Sequence, residues 1–341
     1  MKIAIYTPYL DTLGGGERYI LTAASILSKN GHKVFVQADG RQLLDRATER
    51  FGLDLSEVVS VPSVGRGEGY DVIIWLSDGS IPTLFARKNI VHIQRPFRFV
   101  NGKSLLSRIK FARVKNVIVN SAFTKHYTDL EFPVKSVVLY PPVDLQSFTP
   151  AKKRKEIAYV GRFSQLEQAK RQDVLLKTFI KMYKYDAREW KLVLAGGSDI
   201  GRTDEVDILK KYAVGHPIEV LEGPEFKKIR DIMAHATFFW SAAGYGVDEN
   251  SEPNRMEHFG ITLVEAMSAG CVPIVFDGGG HREIVVHGQT GFLWKEPKEM
   301  ITFTKKLIYD SRLREKMSIA ARERATAFSM QVFEKQLLSL I

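Results

Sequence analysis

Residues 257–276 read Glu257-His258-Phe259-Gly260-Ile261-Thr262-Leu263-Val264-Glu265-Ala266-Met267-Ser268-Ala269-Gly270-Cys271-Val272-Pro273-Ile274-Val275-Phe276, and Asp277-Gly278-Gly279-Gly280 follows. Ile261, Leu263, Val264, Ala266 and Met267 mark a helix that starts near Gly260. Residues 272–276 are continuously apolar, as a strand covered on both faces must be. A further helix is expected over 281–286, directly after the three glycines. Helix, buried strand, glycine turn and helix together form the repeating unit of a doubly wound parallel sheet.

The same theme runs outward in both directions. Strands are predicted at 2–6, 33–37, 72–75, 89–93, 116–119 and 136–139, then at 157–160, 191–194, 219–221 and 237–241. Between the first two, Tyr19, Ile20, Ala23, Ala24 and Leu27 recur at helical spacing over 17–29, and Gly31 closes that helix. A second long helix is expected at 174–185. At 341 residues the chain has the length of two domains. The expected fold class is therefore α/β, with two doubly wound Rossmann-like domains at 1–150 and 151–327. The junction is placed at 141–156, where Pro141, Pro142 and Pro150 precede the charged run 152–156, read as a solvated linker.

Composition narrows the function. The single cysteine, Cys271, excludes an intrachain disulfide framework or a cysteine zinc cage, and its apolar neighbours suit a buried thiol. No apolar stretch approaches the ~20 residues that span a bilayer, and the opening apolar run stops at Pro8, so a soluble, cytoplasmic protein is expected. A net charge of +10 suits nucleic acid, anionic membrane or phosphorylated small molecules. No nucleic-acid-binding module is recognisable, and no nucleic-acid partner is expected.

Several constellations carry chemistry. Glu257 and Glu265 stand eight residues apart around Gly260, in position to meet different parts of one long ligand. Gly260 admits close backbone approach, and the glycines at 278–280 form either a flexible turn or a loop whose amides approach phosphate oxygens. Arg162 follows the strand at 157–160, and Lys170 precedes the next helix. Breaking a sugar–phosphate bond leaves a nucleoside diphosphate with added negative charge, which fixed cations stabilise where no metal does. Arg162 supplies a planar fork and Lys170 a point charge. No Asp-x-Asp occurs, and His258 and His281 lack metal-site spacing, so neither a metal nor another cofactor is expected. His92 ends the strand at 89–93, as a structural residue or a substrate contact. Gly14-Gly15-Gly16-Glu17 lies between the first strand and helix. A nicotinamide fingerprint would need glycine where Tyr19 stands, although Asp39 does follow the second strand.

In this order the motifs resemble glycosyltransferase family 4 of the GT-B fold. They run from Gly14-Gly15-Gly16-Glu17 through Tyr140-Pro141-Pro142-Val143-Asp144, Val160-Gly161-Arg162, Lys170-Arg171-Gln172-Asp173 and Glu257-x7-Glu265 to Gly278-Gly279 with Glu283 and Gly291-Phe292-Leu293. The resemblance implies two domains facing across a cleft, an acceptor domain first and a nucleotide-sugar donor domain second, with the helix at 328–341 returning to the first. It implies that Glu265 binds the donor ribose and that Glu257 lies near the donor sugar, which the Phe259, Gly260 and Ile261 backbone also approaches. Arg162 and Lys170 would hold the diphosphate, with Gly15 and Gly16 approaching from the first domain and Gly279 and Glu283 completing the donor site. His92 looks like the family's active-site histidine. Transfer would retain anomeric configuration, with the leaving phosphate assisting the acceptor.

The segment Gly244-Tyr245-Gly246-Val247-Asp248-Glu249-Asn250 before Glu257 looks like the dolichol-pathway mannosyltransferases, which implies GDP-mannose as donor and a glycan, lipid-linked or small-molecule acceptor. Residues 97–115 mix six cations with apolar side chains, either a helix with an apolar core face or a basic amphipathic segment that docks on anionic lipid. The second reading makes the protein peripheral on the inner face of a membrane. Two other classes remain: a nicotinamide-dependent oxidoreductase, which leaves Arg162, Lys170 and both glutamates unexplained, and a non-catalytic nucleotide-binding protein.

Overall fold

A computed structural model describes residues 1–163, 168–185, 187–198 and 205–341. The chain forms two compact units, Met1–Pro142 with Met330–Ile341, and Val143–Ser329.

Unit 1 holds a seven-stranded parallel sheet of β1 (Lys2–Tyr6), β2 (Lys33–Gln37), β3 (Val59–Val61), β4 (Val72–Ser77), β5 (Lys88–Ile93), β6 (Asn116–Val119) and β7 (Val137–Val138), in the order β3-β2-β1-β4-β5-β6-β7. Its helices are α1 (Gly15–Lys29), α2 (Arg41–Phe51), α3 (Leu105–Phe111), α4 (Ala122–Glu131) and the last helix of the chain. Alternation along each strand feeds two cores. Ile3 and Ile5 join Val34, Val36, Ile74 and Leu27 on one face. Ala4 joins Ile73, Val91, Ile93 and Val119 on the other. All five apolar positions at helical spacing in α1 are buried. Its start is fixed by Glu17, whose Oε2 accepts from the Gly14 N–H at 2.8 Å and the Thr12 hydroxyl at 3.1 Å.

Unit 2 repeats the order with six parallel strands, β8 (Arg154–Val160), β9 (Lys191–Gly196), β10 (Ile218–Glu222), β11 (Ala236–Ser241), β12 (Val272–Phe276) and β13 (Phe292–Trp294), arranged β10-β9-β8-β11-β12-β13. The helices are α5 (Gln172–Tyr185), α6 (Glu205–Ala213), α7 (Phe226–His235), α8 (Ile261–Ser268), α9 (His281–Ile284), α10 (Pro297–Tyr309) and α11 (Ser311–Ala325). Each sheet reverses its winding beside its first strand, at β1/β4 and β8/β11, and ligands of such folds collect at the carboxyl ends there. Helix α12 (Met330–Leu340) belongs to unit 1, where Phe333 meets Tyr19 edge-on at 5.1 Å and Asn116 Nδ2 donates to Leu340 O at 3.1 Å. Among the described residues no helix is long and apolar enough to cross a membrane.

The division between the units falls at Pro142/Val143 and not at 150. The intervening residues pack on unit 2: Val143 N–H donates to Phe328 O at 3.0 Å, and the Ser268 hydroxyl to Phe148 O at 3.1 Å. The charged run at 152–156 is likewise no solvated linker. Arg154 opens β8, and Lys153 Nζ donates to Ala236 O at 2.8 Å and Ala269 O at 2.6 Å, where α7 and α8 end. Helix α9 stops at Ile284, two residues short of its expected end.

Candidate functional site

In unit 2 the loops after β8, β11 and β12 meet at the carboxyl edge of the sheet. The 168–171 and 244–256 segments are tied together by Ala169, whose N–H donates to Arg255 O at 3.0 Å and whose carbonyl accepts from Gly244 N–H at 2.8 Å. This places Lys170 beside Glu257, with Nζ to Oε2 at 2.7 Å and side chains only 12% and 14% exposed. Burial alone would push the Glu257 carboxyl up. The Lys170 ammonium, with His281 and His258, reverses this and holds the carboxyl below the usual glutamate range.

The glycine loop explains how Glu257 is held. Gly279 adopts φ +53°, and a Cβ there would collide with Glu257 O. Gly280 has an ordinary φ of −66°, yet a Cβ would stand 2.5 Å from the Phe259 Cα. Its N–H donates to Glu257 O at 2.8 Å. The missing side chains thus let the backbone at 278–280 close onto that at 257–259. Gly260 caps α8 with φ +115°, turning the chain from Glu257 into the helix.

Glu265 sits one turn inside α8 and is 3% exposed. Phe259 is buried edge-on against Phe328 at 5.3 Å, while Ile261 and Glu283 are half-buried. Arg162 is exposed, and its carbonyl accepts from Gln172 Nε2 at 2.8 Å. Arg162 follows β8 at the carboxyl edge of the sheet. Burial first, then Glu257 and Glu205, pushes the hydroxyl of buried Tyr159 up, against the opposing Arg162 charge. Arg162, Lys170, Glu257, Gly260 and Gly279 therefore gather on unit 2, with Glu265 on the helix that Gly260 starts.

His92, Gly15 and Gly16 lie on unit 1. His92 is 1% exposed on β5, meets Tyr19 edge-on at 4.4 Å, and has no hydrogen-bond partner at Nε2 among the described residues. Burial pushes it down to about 3, so the imidazole is neutral. Gly15 and Gly16 open α1 with N–H groups that no preceding helical turn can satisfy. Gln94 Nε2 donates to Gly16 O at 3.3 Å.

Sequence alone assigns His281 and Glu249 no role beside Glu257 and the glycine loop. His281 is buried, donates from Nδ1 to Phe276 O at 2.9 Å, and interacts electrostatically with Glu257. Glu249 is held by Arg282 Nη1 at 2.9 Å and accepts from the Gly279 N–H at 3.4 Å. His281 lies 24 residues from Glu257, and Glu249 lies 33 from Arg282 and 30 from Gly279, so local spacing carries no sign of these contacts. Among the described residues, no three His, Cys, Asp or Glu side chains converge as metal ligands would.

The profile of the family described as glycosyl transferases group 1 matches residues 143–324, over half of the chain and almost all of unit 2. The chain belongs to the glycosyl transferases group 1 family. It is thus a glycosyltransferase, and the oxidoreductase and non-catalytic readings fall away. Among curated relatives of this group 1 chain, the GDP-Man:Man(3)GlcNAc(2)-PP-Dol alpha-1,2-mannosyltransferase of Mus musculus is 25% identical, covering 97% of this chain and 85% of the relative. The mouse alpha-1,3/1,6-mannosyltransferase ALG2 is 27% identical over 66% of this chain and 58% of its own length. The structure of Anabaena Alr3699/HepE, solved in complex with UDP, superposes with a TM-score of 0.77 at 18% identity, covering 99% of each chain. That likeness shows the GT-B fold.

Proposed function

We propose that this glycosyltransferase moves a mannosyl residue from GDP-mannose to a lipid-linked glycan at an anionic membrane surface, with retention and without a metal. The observation that carries the reading is the Lys170–Glu257 pair, seated at 2.7 Å where the 278–280 loop closes on the family-matched unit. The similarity to the mouse GDP-Man:Man(3)GlcNAc(2)-PP-Dol alpha-1,2-mannosyltransferase supports the donor and the acceptor class, and that to mouse ALG2 supports mannosyl transfer.

In this reading the donor binds to unit 2. Glu265 accepts from the ribose hydroxyls, and its burial makes that contact selective. As the bond from the anomeric carbon to the phosphate oxygen breaks, both electrons leave with the diphosphate. The Arg162 fork and the Lys170 ammonium stabilise that charge, with Lys170 shared between Glu257 and the phosphate. The Glu257 carboxylate faces the positive charge developing on the sugar ring. An oxygen of the departing phosphate accepts the proton of the acceptor hydroxyl, which attacks from the same face. His92, neutral and with its buried Nε2 unpartnered among the described residues, is assigned to hydrogen bonding with substrate and not to acid chemistry.

The experiment is a panel of nucleotide sugars presented to the purified protein in EDTA, scored by melting temperature and slow donor hydrolysis. GDP-mannose should raise the melting temperature most and be hydrolysed. Preference for another nucleotide sugar rejects the donor, and inhibition by EDTA that a divalent ion reverses rejects the metal-free chemistry.

A further inference from the structure

From residue 79 to residue 128 the chain contains no aspartate or glutamate and ten lysines and arginines. Fifty residues without an acid stand out in a chain with 39 acids among 341 residues; flanking acids neutralise Arg87, Arg98 and Lys125, and no acid pairs with the cations around α3 among the described residues. Helix α3 lies inside this stretch and is built inside out. Ser104 caps its start by accepting from the Ser107 N–H, and Phe111 is its one buried side chain. Leu105, Leu106 and Ile109 are 74%, 62% and 60% exposed, and the i, i+4 spacing of Leu105 and Ile109 puts them on one outward ridge. Phe99 stands 75% exposed just upstream.

Beside this ridge is a cavity of about 330 Å³. Its apolar wall includes Phe111, Val117 and Val134, and its cations are Arg108, Lys115 and Lys135. Among the described residues none of the three has an acidic partner, although Arg108 Nε reaches Lys103 O at 3.3 Å. An apolar ridge next to unneutralised cations matches the two layers of an anionic leaflet, acyl chains beneath phosphates. A water-facing helix has no reason to expose three large aliphatic side chains together.

We propose that α3 docks unit 1 on an anionic bilayer, with Leu105, Leu106 and Ile109 entering the acyl boundary and the Arg108–Lys115–Lys135 cavity taking the phosphate of a lipid headgroup. This extends the membrane reading above by naming the docking element and the lipid group it holds, and it is tested without donor or acceptor. Transfer to a soluble glycan acceptor then scores the catalytic reading separately, and should be unchanged in the variants below.

The test is sedimentation of the full chain with phosphatidylcholine vesicles, alone or mixed with phosphatidylglycerol. The protein should pellet with the mixed vesicles only. Replacing Leu105, Leu106 and Ile109 with serine should reduce binding at least tenfold. Replacing Arg108, Lys115 and Lys135 with glutamine should reduce it by about fivefold per cation removed. Both triple variants should melt at the parent's temperature, because the replaced side chains are exposed. Inorganic phosphate should displace the parent more than chloride of equal ionic strength, and lose that advantage in the glutamine variant. Equal pelleting with neutral vesicles, or parental binding by either variant, overturns the docking proposal. Equal displacement by phosphate and chloride overturns the cavity assignment. Self-association of the parent through Leu106, abolished by Leu106→Ser and indifferent to vesicles, would assign the ridge to a second copy and also overturn the proposal.

Discussion

Lys170 and Glu257, 87 residues apart in sequence, form a charge-assisted hydrogen bond of 2.7 Å that is almost shielded from water. Removing either partner strands the other in a poorly hydrated corner. Lys170→Met should destabilise unit 2 by about 1–3 kcal/mol, the penalty for a largely buried group that loses its partner. Glu257→Gln, which leaves a flexible ammonium able to reach water, should cost less. Denaturant melts of both single variants and the double variant check this: a coupling energy near zero would mean that the pair is incidental.

The same pair sets a pH window. The Glu257 carboxyl is held below its unfolded value of 4.5, so its contribution is present above that value and is lost as pH falls through the lower folded value. Glu257→Gln should therefore lose its stability deficit relative to the parent only below about pH 4.5. A deficit that changes between pH 5 and 8 would contradict the assignment.

His92 works in the opposite sense. Its folded value of about 3 lies below the ordinary 6.5, so the unfolded chain takes up a proton first as pH drops. Stability is lost from pH 6.5 downward, by at most about 1.4 kcal/mol per pH unit. His92→Phe keeps an edge-on ring contact for Tyr19 and should flatten the pH dependence of melting in that window while reducing transfer sharply. An unchanged slope would show that the imidazole is hydrated.

Gly280→Ala separates crowding from backbone strain, since its φ is ordinary and only its missing side chain lets the two loops meet. It should cost about 1–3 kcal/mol and lower transfer by displacing Glu257. Gly288→Ala is the control: its φ is +76° and a Cβ would meet nothing within 4 Å, so strain of about 1 kcal/mol is expected, with transfer preserved. Equal loss of transfer in both would contradict the loop-closure account.

Much of the fold was legible because unbroken apolar strands and helical spacing are local signals. Residues 2–6, 33–37, 116–119 and 272–276 read as strands, and they are strands to the residue. Strands β3 and β13 were missed because three residues give no period to read, and β3 lies at the sheet edge with no buried position. The charged start of β8 looked like a linker because nothing in Lys152-Lys153-Arg154 shows that Lys153 will bury its ammonium between helix ends. Glu257, Lys170 and the glycine loop stood out by residue type, but their mutual contact is a product of topology. What the glycines at 279 and 280 do was legible only in part. The sequence offers a flexible turn or a loop whose amides approach phosphate oxygens; that the missing side chains also admit the backbone at 257–259 was not readable.

The most direct measurement of the central claim is calorimetric titration of GDP in EDTA with the parent, Arg162→Met and Glu265→Ala. The account expects GDP to bind without metal, with each variant weaker by roughly ten- to a hundredfold, the worth of one hydrogen bond involving a charged group. Binding that requires a divalent ion, or parental affinity in both variants, would contradict it.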